Sequence, residues 1–302
     1  MATLRSPPGE RSVEELLSFG VVNLDKPPGP SAHQVSAWAR DLAGVGRAAH
    51  AGTLDPKVTG CLPILLADAT RLAQVFLEGT KEYVAVLELH GPAPTDLAAV
   101  LDAFEGEIYQ KPPRKSAVAR RLRTRELHAL DLLEVRERQA LVRIRCESGT
   151  YVRKLCHDIG LAAGTGAHMG DLRRTATDPF DDTDLVSTAD LTDALAFAEE
   201  GDEAPLRDVV APAERALTHL PRLTVAFSAA EQIAEGAPVY APGIVDVGPD
   251  VEALDEASAS TAENAPLVAC FTPDGSAVCL GHLTGDPRAE SGEAVSLERV
   301  LV

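Results

Sequence analysis

The sequence predicts an α+β fold: a mixed, largely antiparallel sheet with flanking helices, followed by a small β-rich domain. Three observations carry this. Short strand-like apolar runs and amphipathic helical stretches are mixed without a regular strand–helix–strand rhythm. From Pro221 the texture changes to short apolar runs punctuated by Gly and Pro. At 302 residues the chain is long enough for a sizeable core and two domains.

Residues 1–20, rich in Pro and charge, read as an N-terminal arm. Residues 21–220 form the first domain. Val21–Leu24 is a strand closed by Asp25-Lys26-Pro27-Pro28-Gly29-Pro30, a rigid loop carrying a cation. Ser31 caps a helix with apolar positions Val35, Trp38, Ala39 and Leu42. A glycine-bounded loop over His50–Gly60 leads into a buried strand, Cys61–Leu66, and a helix over Thr70–Leu77. Tyr83–Leu89 is a strand and 95–104 a helix. Leu132–Val135 and Ala140–Cys146 pair as a hairpin, a helix runs from Tyr151 to about Ala163, and 181–215 is acidic and helical. Residues 221–302 form the β-rich domain, with strands at Leu223–Val225, Leu267–Phe271 and Ala277–Leu280 and a disordered, solvated acidic loop over 246–265.

Charge is uneven. The chain carries 28 Lys+Arg against 46 Asp+Glu, a net of −18 that ordinarily argues against nucleic acid. Yet residues 110–154 hold 13 Lys/Arg against 5 Asp/Glu, a basic island on an acidic protein. Few lysines, many acids and abundant Ala fit a salt-loving source, where a Debye length of ~3 Å screens self-repulsion. The five cysteines form no Cys-x-x-Cys pair and read as reduced, mostly buried thiols of a cytoplasmic protein. No apolar run approaches the ~18 residues of a membrane span.

The His50–Gly60 loop holds the most informative carboxylate. Pro56 pushes Asp55 out of helical geometry, onto a rigid loop that can present it to a ligand. Two further segments are special: Lys81-Glu82-Tyr83, an aromatic at a strand start, and Cys146–Leu155, where a strand ends in Ser-Gly-Thr and Arg153 falls in the first turn of the next helix. Taken singly each has a plainer reading: Tyr83 a core aromatic, Arg153 a surface cation, His50 a cap, the run Lys111–Arg125 a solvated face. His157-Asp158 is no dyad, because adjacent helical residues point apart.

Together, His50–Gly60, Asp25–Gly29, Lys81–Tyr83 and Gly149–Leu155 resemble the TruB/dyskerin family of RNA pseudouridine synthases. Lys111–Val118 and Gly166–Arg174 resemble its archaeal–eukaryotic branch. The likeness covers about residues 15–180, and the tail from Pro221 is similar to the PUA RNA-binding domain of that branch. Asp178-Pro179-Phe180 departs from it, with Asp where the family often has Gly. The resemblance implies a pseudouridine synthase fold and isomerisation of uridine: cleavage of N1–C1′, rotation of the uracil, and rejoining through C5. It implies no cofactor and no metal.

By the same resemblance Asp55 is the catalytic aspartate and Arg153 the basic residue that pairs with it and orients it. Tyr83 stacks on the flipped uracil, His50 occupies the place of the extruded base, and Lys26 lies on a supporting loop. Lys26 and Leu155 complete the expected substrate-binding set. Arg114, Lys115, Arg120, Arg121 and Arg123 are expected on the RNA backbone. The implied partners are tRNA or rRNA, with H/ACA guide RNA and the small archaeal H/ACA proteins, among them a kink-turn-binding protein. Two competing classes are a non-catalytic RNA-binding scaffold and a sugar hydrolase. The hydrolase would need a second, opposed carboxylate, and only one is offered.

Overall fold

The computed structural model describes residues 4–77, 79–112, 119–252 and 265–302. The chain opens with α1 (Val13–Ser18), β1 (Gly20–Lys26), α2 (Ala32–Leu42), β2 (Ala48–His50) and β3 (Thr59–Leu66). There follow β4 (Lys81–Leu89), α3 (Leu97–Asp102), β5 (Gly106–Gln110), β6 (Arg123–Arg136), β7 (Gln139–Cys146) and α4 (Val152–Ala162). The large sheet is completed by β8 (Ala167–Thr177), β9 (Phe180–Asp181) and, after α5 (Thr188–Glu199) and α6 (Ala204–Val209), β10 (Ala211–Pro212). Its order is β10-β1-β3-β8-β4-β7-β6-β5, with β2 beside β3 and β9 beside β8. Every pairing is antiparallel except β3 with β8.

Local chemistry explains most boundaries. Ser31 accepts the Gln34 N–H and Gln34 reaches back to the Ser31 N–H, a capping box that starts α2. The same device opens α1 at Ser12 and α5 at Ser187. β6 and β7 pair over a long register to Arg136↔Gln139, so the hairpin is longer than its apolar residues alone suggest. The helix expected at Thr70–Leu77 is a 3-10 run over Ala67–Leu77, in which the Thr70 hydroxyl donates to the Ala67 carbonyl at 2.7 Å.

Strand β3 is buried on both faces, as its unbroken apolar run requires. Cys61 and Leu65 join one core with Val21, Phe76 and Phe180, while Leu62, Ile64 and Leu66 join another with Leu24, Val35 and Leu191. A third core packs α4, through Leu155, Cys156 and Ile159, on Ala85, Leu87, Val142 and Ile144.

The remaining elements are β11 (Arg222–Val225), α7 (Phe227–Ala234), β12 (Val239–Tyr240), β13 (Ile244–Val247), α8 (Pro249–Glu252), β14 (Leu267–Phe271), β15 (Ala277–Leu283) and β16 (Glu293–Val300). They build a six-stranded sheet of order β12-β16-β15-β14-β11-β13. The acidic loop expected over 246–265 starts later: Asp246 and Val247 pair with Thr224 and Leu223, and 249–252 is helical. Residues 253–264 of that loop lie outside the described residues. Ala269, Phe271, Ala277, Leu280 and Leu301 enter the same core as Val21 and Cys61, so apolar packing is continuous between the two sheets.

The N-terminal segment is fastened to this junction. Arg11 is fully buried and donates from both terminal nitrogens to Glu214, at 2.7 and 2.6 Å. Arg5 donates to the Leu301 carbonyl at 3.0 and 3.2 Å. All five cysteines are buried and unpaired.

Candidate active site

The loop between β2 and β3 carries Asp55 on the open surface, its side chain 53% exposed. Arg153, in the first turn of α4, forms an ion pair with Asp55. The loop backbone is held from below. Lys26 is completely buried, and its ammonium donates to the carbonyls of Pro27, Pro56 and Val58 at 3.0, 3.0 and 2.8 Å. Gly29 N–H donates to the Pro56 carbonyl at 2.8 Å, and Val58 N–H to that of Asp55 at 3.0 Å. Burial lowers the Lys26 pKa, against the pull of the Asp55 carboxylate.

Tyr83 stands on β4, opposite Ile144 of β7 and Arg174 of β8. Its ring packs between the cores on either side. Burial raises the phenol pKa, and the Arg174 guanidinium beside it works in the other direction. Arg174 is itself 1% exposed, donating to the Cys61 carbonyl at 2.7 Å and to the Gly52 carbonyl at 3.3 Å.

His50, on β2, meets His33 of α2 edge to face, with ring centroids 4.8 Å apart and Nε2 3.4 Å from His33 Nδ1. Burial, His33 and Arg174 together push its pKa down to about 4. The neutral ring stands beside the carboxylate loop. Asp25 and Arg173 form a two-pronged ion pair at 3.0 and 3.1 Å near the same loop.

Arg153 thus pairs with Asp55, while the Arg174 guanidinium acts on both His50 and Tyr83 and holds Gly52 of the Asp55 loop. Two residues expected to touch substrate are placed otherwise. Leu155 is 1% exposed within the core under α4, and Lys26 spends its three protons on backbone carbonyls. Both act from beneath the surface. Of the expected RNA-backbone residues, Arg114 and Lys115 lie outside the described residues. Arg120 and Arg121 are exposed, with Arg120 donating to the Pro112 carbonyl at 3.1 Å, and Arg123 is half-buried at the start of β6. Carboxylates partly neutralise the island: Arg125 pairs with Glu147 at 3.1 Å and Arg143 with Asp131 at 3.0 Å. Asp158, beside His157, pairs with Lys154.

Sequence reasoning missed the roles of Arg174 and His33. The Arg173-Arg174 pair ends the Gly166–Arg174 motif, but nothing local says that one arginine points to a carboxylate and the other into the core. Among the described residues no group of three or more His, Cys, Asp or Glu side chains could hold a metal ion. No helix among them is long and apolar enough to cross a membrane.

Comparison with known proteins agrees with this layout. Residues 40–96 match the N-terminal domain of TruB family pseudouridylate synthases. Residues 153–218 match the C-terminal domain of tRNA pseudouridylate synthase B, and 4–36 the DKCLD domain. A Haloarcula marismortui protein named probable tRNA pseudouridine synthase B is 64% identical over 99% of this chain and 94% of its own length. The crystal structure of a Cbf5–Nop10–Gar1 complex contains a chain 42% identical, superimposing with a TM-score of 0.89 over 99% of this chain and 90% of that one. A chain in an H/ACA RNP bound to a substrate RNA containing 2′-deoxyuridine is 39% identical, with a TM-score of 0.86 over 99% and 90%. Fold and relatives together define a pseudouridine synthase, an isomerase. The chain belongs to the TruB family of pseudouridylate synthases.

Proposed function

We propose that this cytoplasmic enzyme isomerises uridine in RNA at Asp55. The observation that carries the assignment is the ion pair between Asp55 and Arg153, an exposed carboxylate held by a cation. The carboxylate attacks C1′, or stabilises positive charge there, as the N1–C1′ bond breaks. The freed uracil turns over Tyr83, C5 bonds to C1′ as the bond or contact of C1′ with the Asp55 carboxylate is broken and the carboxylate is released, and the proton lost from C5 is balanced by one gained at N1. His50 takes the space left by the extruded base, which offsets part of the unstacking cost of a few kcal/mol. Arg120, Arg121 and Arg123 meet phosphates, and the C-terminal sheet serves as a PUA-like RNA-binding domain.

The names of the relatives favour tRNA as substrate, and the T-loop uridine is the target we assign. The similar chains in a Cbf5–Nop10–Gar1 complex and in an H/ACA RNP favour a ribonucleoprotein particle with Nop10- and Gar1-like partners, in which we place a guide RNA. We assign both: stand-alone action on tRNA, and guided action on rRNA within the particle. The test is incubation in high salt with a T-loop transcript, alone or with guide RNA, partner proteins and an rRNA target, followed by mapping of pseudouridine. Asp55→Asn should reduce product at least 10³-fold in both arms while RNA affinity stays within about twofold. Turnover by Asp55→Asn would remove the mechanism, and product in only one arm would remove the other role.

A further inference from the structure

One buried cation lies where the two halves of the site meet. Strand β8 runs between β3 and β4. Arg174 is consequently the register partner of Gly60 on one side and of Tyr83 on the other. Gly60 ends the Asp55 loop, and Tyr83 is the aromatic of the site. The Arg174 side chain donates to Cys61, just past that loop, and to Gly52, near its start. Its guanidinium also acts electrostatically on the phenol of Tyr83, its register partner.

These partners are two carbonyls and a phenol, none of them a full negative charge. Burying a guanidinium against neutral partners is costly, and an apolar side chain of similar volume would ordinarily fill such a place more cheaply. The glycines at both ends of the loop fit around this residue. A Cβ on Gly52 would stand 3.3 Å from Arg174 Nη1, and one on Gly60 only 2.2 Å from the Arg174 carbonyl oxygen. The loop is thus moulded on Arg174 at its two ends.

We propose that Arg174 is a positioning residue for the isomerisation, tying the Asp55 loop through Gly52 to the strand that carries Tyr83. It sets the spacing between the carboxylate that meets C1′ and the ring under the base. This rests on the assignment of Asp55 and Tyr83 made above. Spacing matters because a displacement of about 1 Å in a reacting group can cost on the order of a hundredfold in rate.

The test is steady-state kinetics of Arg174→Met and Arg174→Lys on the RNA that the wild-type chain modifies, with thermal melting and RNA binding in parallel and Asp55→Asn as reference. Arg174→Met should lower kcat by about a hundredfold with KM and RNA affinity within twofold. Arg174→Lys keeps the charge but cannot span two carbonyls and a phenol, so it should recover only about tenfold of that loss. If Arg174→Met does not fold, Arg174→Lys alone is decisive: a drop in kcat at unchanged KM supports the role. Wild-type kcat in a folded variant, or a defect confined to KM, overturns it while leaving Asp55 and Tyr83 in place. Turnover by Asp55→Asn overturns the site assignment and this inference with it.

Discussion

His50 is held neutral by its surroundings, and that gives it a stability signature. Burial, the facing ring of His33 and the Arg174 guanidinium move its pKa from 6.5 to about 4. The sign follows from linkage. Above pH 6.5 the ring is neutral in both folded and unfolded chains and contributes nothing. As pH falls toward 4 the unfolded chain takes up a proton that the folded one refuses, so stability drops. Between pH 7.5 and pH 5 the wild type should lose stability relative to His50→Gln, on the order of 1 kcal/mol once solvent screening of the partly exposed ring is allowed for, read from urea-unfolding midpoints at the two pH values. Parallel midpoints for the two proteins would show that the ring protonates freely in the fold. Other shifted groups, such as His219, are common to both proteins and cancel. Lys26 makes the same point about reading residues one at a time. In the sequence it is a cation on a Pro-rich loop, and only the register Lys26↔Gly60 shows that it faces inward under Pro56 and Val58.

At the level of elements, the site depends on where β3 begins. Gly60 is its second residue, adopts φ +97°, and lies so close to β8 that a side chain has no room. Gly60→Ala combines a left-handed backbone penalty with a clash against a backbone carbonyl that cannot rotate away. It should cost about 3 kcal/mol or more and displace the Asp55 loop, lowering turnover together with melting temperature. An alanine variant as stable and active as the wild type would mean that β3 and β8 part easily. What was legible beforehand shares one property, short range. The Ser31 cap, the hairpin ending in Cys146 and the placement of Arg153 in the first turn of α4 all depend on residues within a few positions of one another. The pairing of Asp55 with Arg153 came through motif resemblance, since 98 positions separate them. Arg174 and Leu155 were misjudged or passed over because their roles are set by which strand or core lies next to them. Periodicity cannot state that: an arginine in a strand and a leucine in a first turn each have two faces to choose from.

Across the whole molecule, the two sheets share a core and are locked together by one buried ion pair. Arg11, from the segment before α1, meets Glu214 after β10, and the same carboxylate accepts the Ala277 N–H at the start of β15, at 3.1 Å. Three distant parts of the chain thus depend on a single carboxylate. Desolvating such a pair costs much of what its attraction returns, but removing one partner leaves a bare charge in the core. Arg11→Met should therefore destabilise by about 3–5 kcal/mol, with Glu214 abandoned beneath the second sheet. Pairing it with Glu214→Met removes the stranded carboxylate and should restore part of the loss. The recovery will be incomplete, because the Ala277 N–H then loses its acceptor at a cost of about 1–3 kcal/mol. Urea unfolding in molar salt, which screens the net charge of −18, measures all three proteins on one scale. A double variant as unstable as Arg11→Met alone would place the loss in packing around Phe19, over which Arg5 and Arg11 both lie, instead of in the orphaned charge.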